Sequence, residues 1–190
     1  MSYPIISLVG RPNVGKSTLF NRLSNSRQAL VSDYEGLTRD RQYKNIQLEN
    51  DYFCTIVDTG GLTNENSEID SGIQSQVLSA LDESDVIYFI VSNKDGVTAL
   101  DLDISRQLRK LKRNVILVCN KAEGLNLSFA SEFYELGLGE PILISAEHNQ
   151  GIPELIEKTI PLLPETIDSL EQEIDGIAVA VLGRPNVGKS

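Results

Sequence analysis

Short apolar runs recur along the chain, each followed by a segment of mixed, amphipathic character. The first, Ile5-Ile6-Ser7-Leu8-Val9, reads as a strand, and helical spacing follows from about Lys16 to Leu23. A polar stretch from Ser24 to Arg41 shows no clear period and reads as a long loop. Tyr43 to Leu48 and Tyr52 to Val57, parted by Glu49-Asn50-Asp51, read as a hairpin and so as an antiparallel edge. A helix is expected over Ile73 to Leu81, a buried strand over Val86 to Val91 and a helix over Leu100 to Leu111. Val115 to Val118, Phe129 to Leu136, Ile142 to Ile144 and Ile152 to Ile160 supply the remaining strand and helix units, with Pro161 and Pro164 ending the last helix. Strands alternating with helices predict an α/β fold with a mostly parallel sheet.

Beyond Pro164 the pattern changes. Glu165 to Gly176 carries five acidic side chains and no basic ones, so it reads as a solvated linker or, secondarily, a short acidic helix. Ile177 to Leu182 is again strand-like. It leads into GRPNVGKS at 183–190, which repeats GRPNVGKS at 10–17 residue for residue and again follows an apolar strand. Eight identical residues in matching context point to a duplicated domain. The expected organisation is a first nucleotide-binding domain over 1–163, an acidic linker over 164–176 and the start of a second domain over 177–190. On this reading the natural protein is longer.

The net charge of −10 gives no electrostatic footprint for phosphate backbones, so tight autonomous RNA binding is not expected of this piece. No 18-residue apolar run and no secretory leader are evident, which predicts a cytoplasmic protein without a membrane partner. Cys54 and Cys119 lie within apolar runs and read as buried thiols.

The chemistry begins at Gly10-Arg11-Pro12-Asn13-Val14-Gly15-Lys16-Ser17, which fits G-x-x-x-x-G-K-[ST] between a strand and a helix that continues through Thr18. Its backbone N–H groups and the helix N-terminus suit phosphate, Lys16 adds a cation for the β- and γ-phosphates, and Ser17 offers a hydroxyl to Mg2+. Asp58-Thr59-Gly60-Gly61 follows the next strand. Asp58 there suits the Mg2+ shell through water, and Gly61 suits an N–H donor to a γ-phosphate. Thr38, in Gly36-Leu37-Thr38-Arg39-Asp40, is a loop hydroxyl placed to join Mg2+ when the γ-phosphate is present. Asn120-Lys121-Ala122-Glu123 and Ser145-Ala146-Glu147 follow two successive strands, where an open α/β sheet places a ligand's far end. His148, the single histidine, reads as solvated, and Arg106 to Arg113 as a basic helix face.

Taken in order, these motifs resemble the GTPases, and the tandem GRPNVGKS resembles the Der (EngA) family of double-GTPase ribosome-assembly factors in particular. The resemblance implies a three-layer P-loop NTPase fold of the small-GTPase type, with a mostly parallel six-stranded sheet and one antiparallel edge strand. It implies GTP and GDP as ligands, a phosphate cradle from Gly10 to Lys16, Mg2+ at Ser17, Thr38 and Asp58, and γ-phosphate sensing from Asp58 to Gly61. Lys16, Thr38 and Gly61 would act on the reacting phosphate. Asn120, Lys121 and Glu123 would read the base, with the Ser145-Ala146 backbone closing on the guanine oxygen. The implied partners are the second GTPase domain, an RNA-binding part and the large ribosomal subunit.

Two positions depart from the pattern. The base-reading motif of the family ends in Asp, and here Glu123 stands, one methylene longer, which predicts weaker guanine affinity with the preference for guanine kept. Asn93-Lys94-Asp95-Gly96 is not a displaced copy, because its acid falls one position early and it follows the wrong strand. Leu62 stands where many GTPases carry a water-orienting Gln, which predicts slow hydrolysis. The resemblance suggests K+ held by Asn13 as compensation, while from the residues alone Asn13 serves equally as a loop cap. The leading expectation is a slow GTP-hydrolysing switch. The alternatives are a non-catalytic nucleotide-binding module controlling the second domain and, kept open by Glu123, a P-loop ATPase.

Overall fold

The computed structural model describes residues 3–25, 42–48, 52–59, 81–125 and 127–164. The expected helix over 73–81 (except Leu81), the loop over 24–41 (except Ser24 and Asn25), the turn at 49–51, the linker (except Pro164) and the start of the second domain lie outside them. Six strands form one sheet in the order β2-β3-β1-β4-β5-β6. They are β1 Ile5–Val9, β2 Gln42–Gln47, β3 Phe53–Asp58, β4 Val86–Ser92, β5 Asn114–Asn120 and β6 Ile142–Leu143. All neighbours pair in parallel except β2 and β3, so β2 is the antiparallel edge.

The strands at the centre read as near-continuous apolar runs because both faces of the sheet are covered. Every residue of β4 is buried. Its side chains divide by parity: Val86, Tyr88 and Ile90 join one core with Ile6, Leu8, Ile56 and Val118, while Ile87, Phe89 and Val91 join the other with Leu117 and Cys119. Helix α1 (Lys16–Ser24) brings Leu19, Phe20 and Leu23 to the first core, and α3 (Ile152–Thr159) brings Ile152 and Leu155. Helix α2 (Ala99–Leu108) brings Leu108 to the second, where Phe133 and Leu136 cover it from a 3₁₀ segment at Leu127–Leu136. Helical segments thus flank the sheet on both sides, a three-layer arrangement.

Boundaries differ from the sequence reading where local chemistry intervenes. Helix α3 stops at Thr159, and Ile160–Leu162 continues as a 3₁₀ turn, because Pro161 has no N–H for another α-helical bond. The hydroxyl of Thr159 donates to the Leu155 carbonyl and also meets the Tyr88 hydroxyl at 2.7 Å, fixing that end of the helix to β4. Helix α2 starts at Ala99, one residue early, under a reciprocal cap in which Asp101 N–H donates to the Thr98 hydroxyl and Thr98 N–H to the Asp101 carboxylate. Among the described residues no helix is long and apolar enough to cross a membrane.

Parallel registers such as Leu8 with Asp58, Val9 with Phe89 and Ser92 with Asn120 align the carboxyl ends of β3, β1, β4 and β5. The loops that leave those ends converge at one edge of the sheet, and among the described residues they carry Gly10 to Lys16, Thr59 and Lys121 to Glu123.

Cys54 and Cys119 are free and buried, as expected. Burial pushes both thiols up to about 12 from an ordinary 9.0, so they stay protonated in the fold. Their folded values lie above their unfolded ones, so they leave stability unchanged below pH 9.0 and lower it as pH rises from there toward 12. A thiol reagent at pH about 8 should therefore label neither cysteine until the chain is unfolded with denaturant; rapid labelling of native protein would contradict the burial.

Candidate functional site

The loop from β1 to α1 is shaped by two positions that exclude side chains. A Cβ on Gly10 would lie 2.2 Å from the Ile90 carbonyl oxygen, and one on Gly15 would lie 2.3 Å from Asn120 Nδ2. Gly15 also holds φ at 95°, which glycine adopts without strain. Helix α1 opens with no side-chain cap bond and no acidic residue in its first turn, in contrast to the capped α2. Its first N–H groups and the positive end of its dipole are thus left for an anion.

Lys16 is 6% exposed, and its Nζ donates to the carbonyls of Gly10 at 2.8 Å and Arg11 at 2.9 Å. Burial depresses its pKa, and the nearby Asp58 opposes that shift. Ser17 Oγ donates to Asp58 Oδ2 at 2.8 Å, so the two oxygen groups foreseen as a metal pair lie together. Hard oxygen donors of this kind, one neutral and one anionic, fit Mg2+. Thr59 fastens the tip of β3 to β1 by donating its hydroxyl to the Leu8 carbonyl at 2.7 Å. Pro12 is half-buried, Val14 is buried, and Asn13 and Thr18 are exposed.

The second pair of motifs closes on the first through Asn120. Its Nδ2 donates to the Val14 carbonyl at 2.9 Å, and its Oδ1 accepts from the Ala146 N–H at 3.0 Å. The residue is 3% exposed. One side chain therefore ties together the loops after β1, β5 and β6. Lys121, at φ 61°, sends Nζ to the Asn13 carbonyl at 2.6 Å and so adds a second tie to the P-loop. Ser145 exchanges both backbone bonds with Gln150, which closes the turn carrying Ala146, Glu147 and the exposed His148. Glu123 is half exposed, and its carboxylate accepts from Lys94 Nζ at 2.9 Å.

Thr38, Gly60, Gly61 and Leu62, together with the second GRPNVGKS, lie outside the described residues. Three contacts were not legible in the sequence. Arg22, at the end of α1, donates Nε to the Ala146 carbonyl at 3.0 Å and Nη2 to the Glu147 carbonyl at 2.7 Å, bracing the turn after β6. Arg11 reaches Asp95 at 2.5 Å and the buried Asp101 at 3.4 Å, so the P-loop is also held from the β4–α2 side. Lys94 meets Glu123. None of these partners is close in sequence, and no motif spacing announces them.

The family described as "50S ribosome-binding GTPase" matches residues 5–121. GTPase Der of Methylococcus capsulatus is 50% identical over 190 residues, covering 98% of this chain and 41% of its own length. The chain thus spans about two fifths of the length of that curated relative. Among solved structures, Era in complex with MgGDPNP and nucleotides 1506–1542 of 16S ribosomal RNA is 30% identical with a TM-score of 0.68, covering 87% of this chain and 58% of that one. A variant of Aquifex aeolicus Era bound to GDP and AlF4− gives the same TM-score of 0.68 at 27% identity, with the same coverage of 87% and 58%. The fold is therefore the P-loop GTPase fold that the motifs led one to expect.

If Asn120 is the tie between the loops, Asn120→Ala should destabilise the unliganded domain by about 2–3 kcal/mol, the cost of leaving the Val14 carbonyl and Ala146 N–H without their partner. Urea unfolding checks this, and a change within about 0.5 kcal/mol would contradict it.

Proposed function

We propose that this chain, which belongs to the 50S ribosome-binding GTPase family, binds guanine nucleotides at the described site and hydrolyses GTP slowly as a switch. The observation that carries the proposal is the bridge from Asn120 to Val14 and Ala146, which makes a phosphate loop and a base-end turn into one cradle. A cradle of this kind takes a ligand with phosphate at one end and a planar, hydrogen-bonding base at the other.

In this reading the phosphates displace the carbonyls of Gly10 and Arg11 from Lys16, and the backbone N–H groups from Asn13 to Thr18 surround them. Ser17 and Thr38 would hold Mg2+, with Asp58 reaching it through water, and the ion would neutralise developing charge on the phosphates. Asp58 to Gly61 would sense the γ-phosphate, and Leu62 contributes no group able to orient water. Asn120 and Lys121 flank the base, Glu123 accepts from its N1–H and 2-amino group, and the Ser145-Ala146 backbone closes on the guanine oxygen. Arg22 braces the turn that carries this backbone by holding the Ala146 and Glu147 carbonyls. The resemblance to the Der relatives and to the 50S ribosome-binding family supports a role in large-subunit assembly. There the second GTPase domain and an RNA-binding part of a longer protein act together with this one. K+ bound through the Asn13 side chain is proposed to stand in for an arginine finger, since Asn13 is exposed on the P-loop and Lys121 engages its backbone carbonyl.

Titration of GDP, ADP and XDP should give tightest binding to GDP, and Glu123→Asp should tighten GDP by about fivefold to a hundredfold, the worth of one recovered hydrogen bond. ADP binding as well as GDP would overturn the base assignment. A single-turnover assay with GTP should release phosphate, faster in K+ than in Na+. No release would make the domain a binding module, and equal rates would remove the role given to K+.

A further inference from the structure

The loop Asn93–Gly96, which links β4 to α2, belongs to none of the expected nucleotide motifs, yet it touches both halves of the site. Asn93 N–H donates to the Asn120 carbonyl at 2.8 Å, and Asp95 accepts from Arg11 of the P-loop. Gly96 turns the chain at φ 65° into the capped start of α2. Lys94 therefore stands on a loop held on either side of it. Its Nζ lies 2.9 Å from Glu123 Oε1, although the two side chains are 58% and 50% exposed.

From this placement we infer that Lys94 is a specificity-determining residue that competes with the base for the Glu123 carboxylate. The inference rests on the reading above, in which Glu123 faces guanine N1–H and its 2-amino group. A guanine edge presents two parallel donors and needs both carboxylate oxygens in its plane. In the structure Oε1 already accepts from an ammonium, which turns the carboxylate toward the β4–α2 loop. Glu has one more methylene than the Asp of the family pattern, and that length gives its carboxylate reach and rotational freedom toward Lys94. The same cation holds the Glu123 carboxyl below the usual range and is itself raised, which agrees with a formed ion pair. The substitution at position 123 thus acts in two ways: it misplaces the acceptor, and it exposes it to a cation that has to be displaced before guanine is read.

An exposed pair of this kind is weak and salt-screened, which sets the size and signature of the test. In the folded chain, Lys94→Met should tighten GDP binding about twofold to fivefold at low ionic strength, and most of that gain should disappear near 1 M salt. In a Glu123→Gln background, whose neutral amide makes no ion pair, Lys94→Met should change GDP affinity by less than about 1.5-fold. Unchanged or weaker GDP binding by Lys94→Met alone overturns the inference, as does an equal gain in both backgrounds, which would place the effect somewhere other than Glu123. If Glu123→Gln by itself leaves GDP affinity and the GDP-to-ADP preference unchanged, Glu123 does not read the base. That outcome removes the parent reading along with this one, and it is distinct from a failure of Lys94 alone.

Discussion

Everything in the site hangs on the double hydrogen bond of one buried amide. Asn120 gives a donor to Val14 in the phosphate loop and an acceptor to Ala146 in the turn after β6. No other side-chain type of that size supplies both at once, since Asp lacks the donor and Leu lacks both. The contact also explains the neighbouring glycine, because any Cβ at Gly15 would strike Asn120 Nδ2. A rule usually stated for phosphate binding, that this loop is glycine-rich, is here equally a rule about how close the base-end loop must come.

The sheet is what makes that approach possible. Parallel pairing brings the carboxyl ends of β1, β3, β4 and β5 to one edge, and two apolar cores of opposite strand parity hold the sheet between helical layers. The binding elements are then short loops on a rigid base, braced at their outer sides by Arg22 and Arg11. Such bracing is entropically useful: loops already ordered before ligand arrives lose less freedom when it binds. Lys16 is the exception that has to move, since its ammonium rests on carbonyls that a phosphate would replace.

Much of this was legible in the sequence, and the reasons differ by element. The bounds of β1 follow from an apolar run, broken only by Ser7 and closed by Gly10, and the central strands follow from apolar runs too short for helices. The P-loop is legible because its residue types answer directly to the chemistry of phosphate. Three features were harder. The 3₁₀ form of Leu127–Leu136 cannot be told from an α-helix by apolar spacing over ten residues. The end of α3 depends on whether Pro161 is approached by an α-turn or a tighter one. Arg22 and Lys94 find their partners across 124 and 29 residues of chain, where only the folded topology brings them together. Glu123 sits between these cases. Its departure from the expected Asp was visible, but the cation beside it was not.

The central claim is that this cradle selects guanine nucleotides despite an imperfect base-reading carboxylate. Its most direct test is the identity of the nucleotide released when the purified protein is denatured and the supernatant is resolved by mass spectrometry. The account predicts GDP or GTP; an adenine nucleotide carried at comparable occupancy would contradict it.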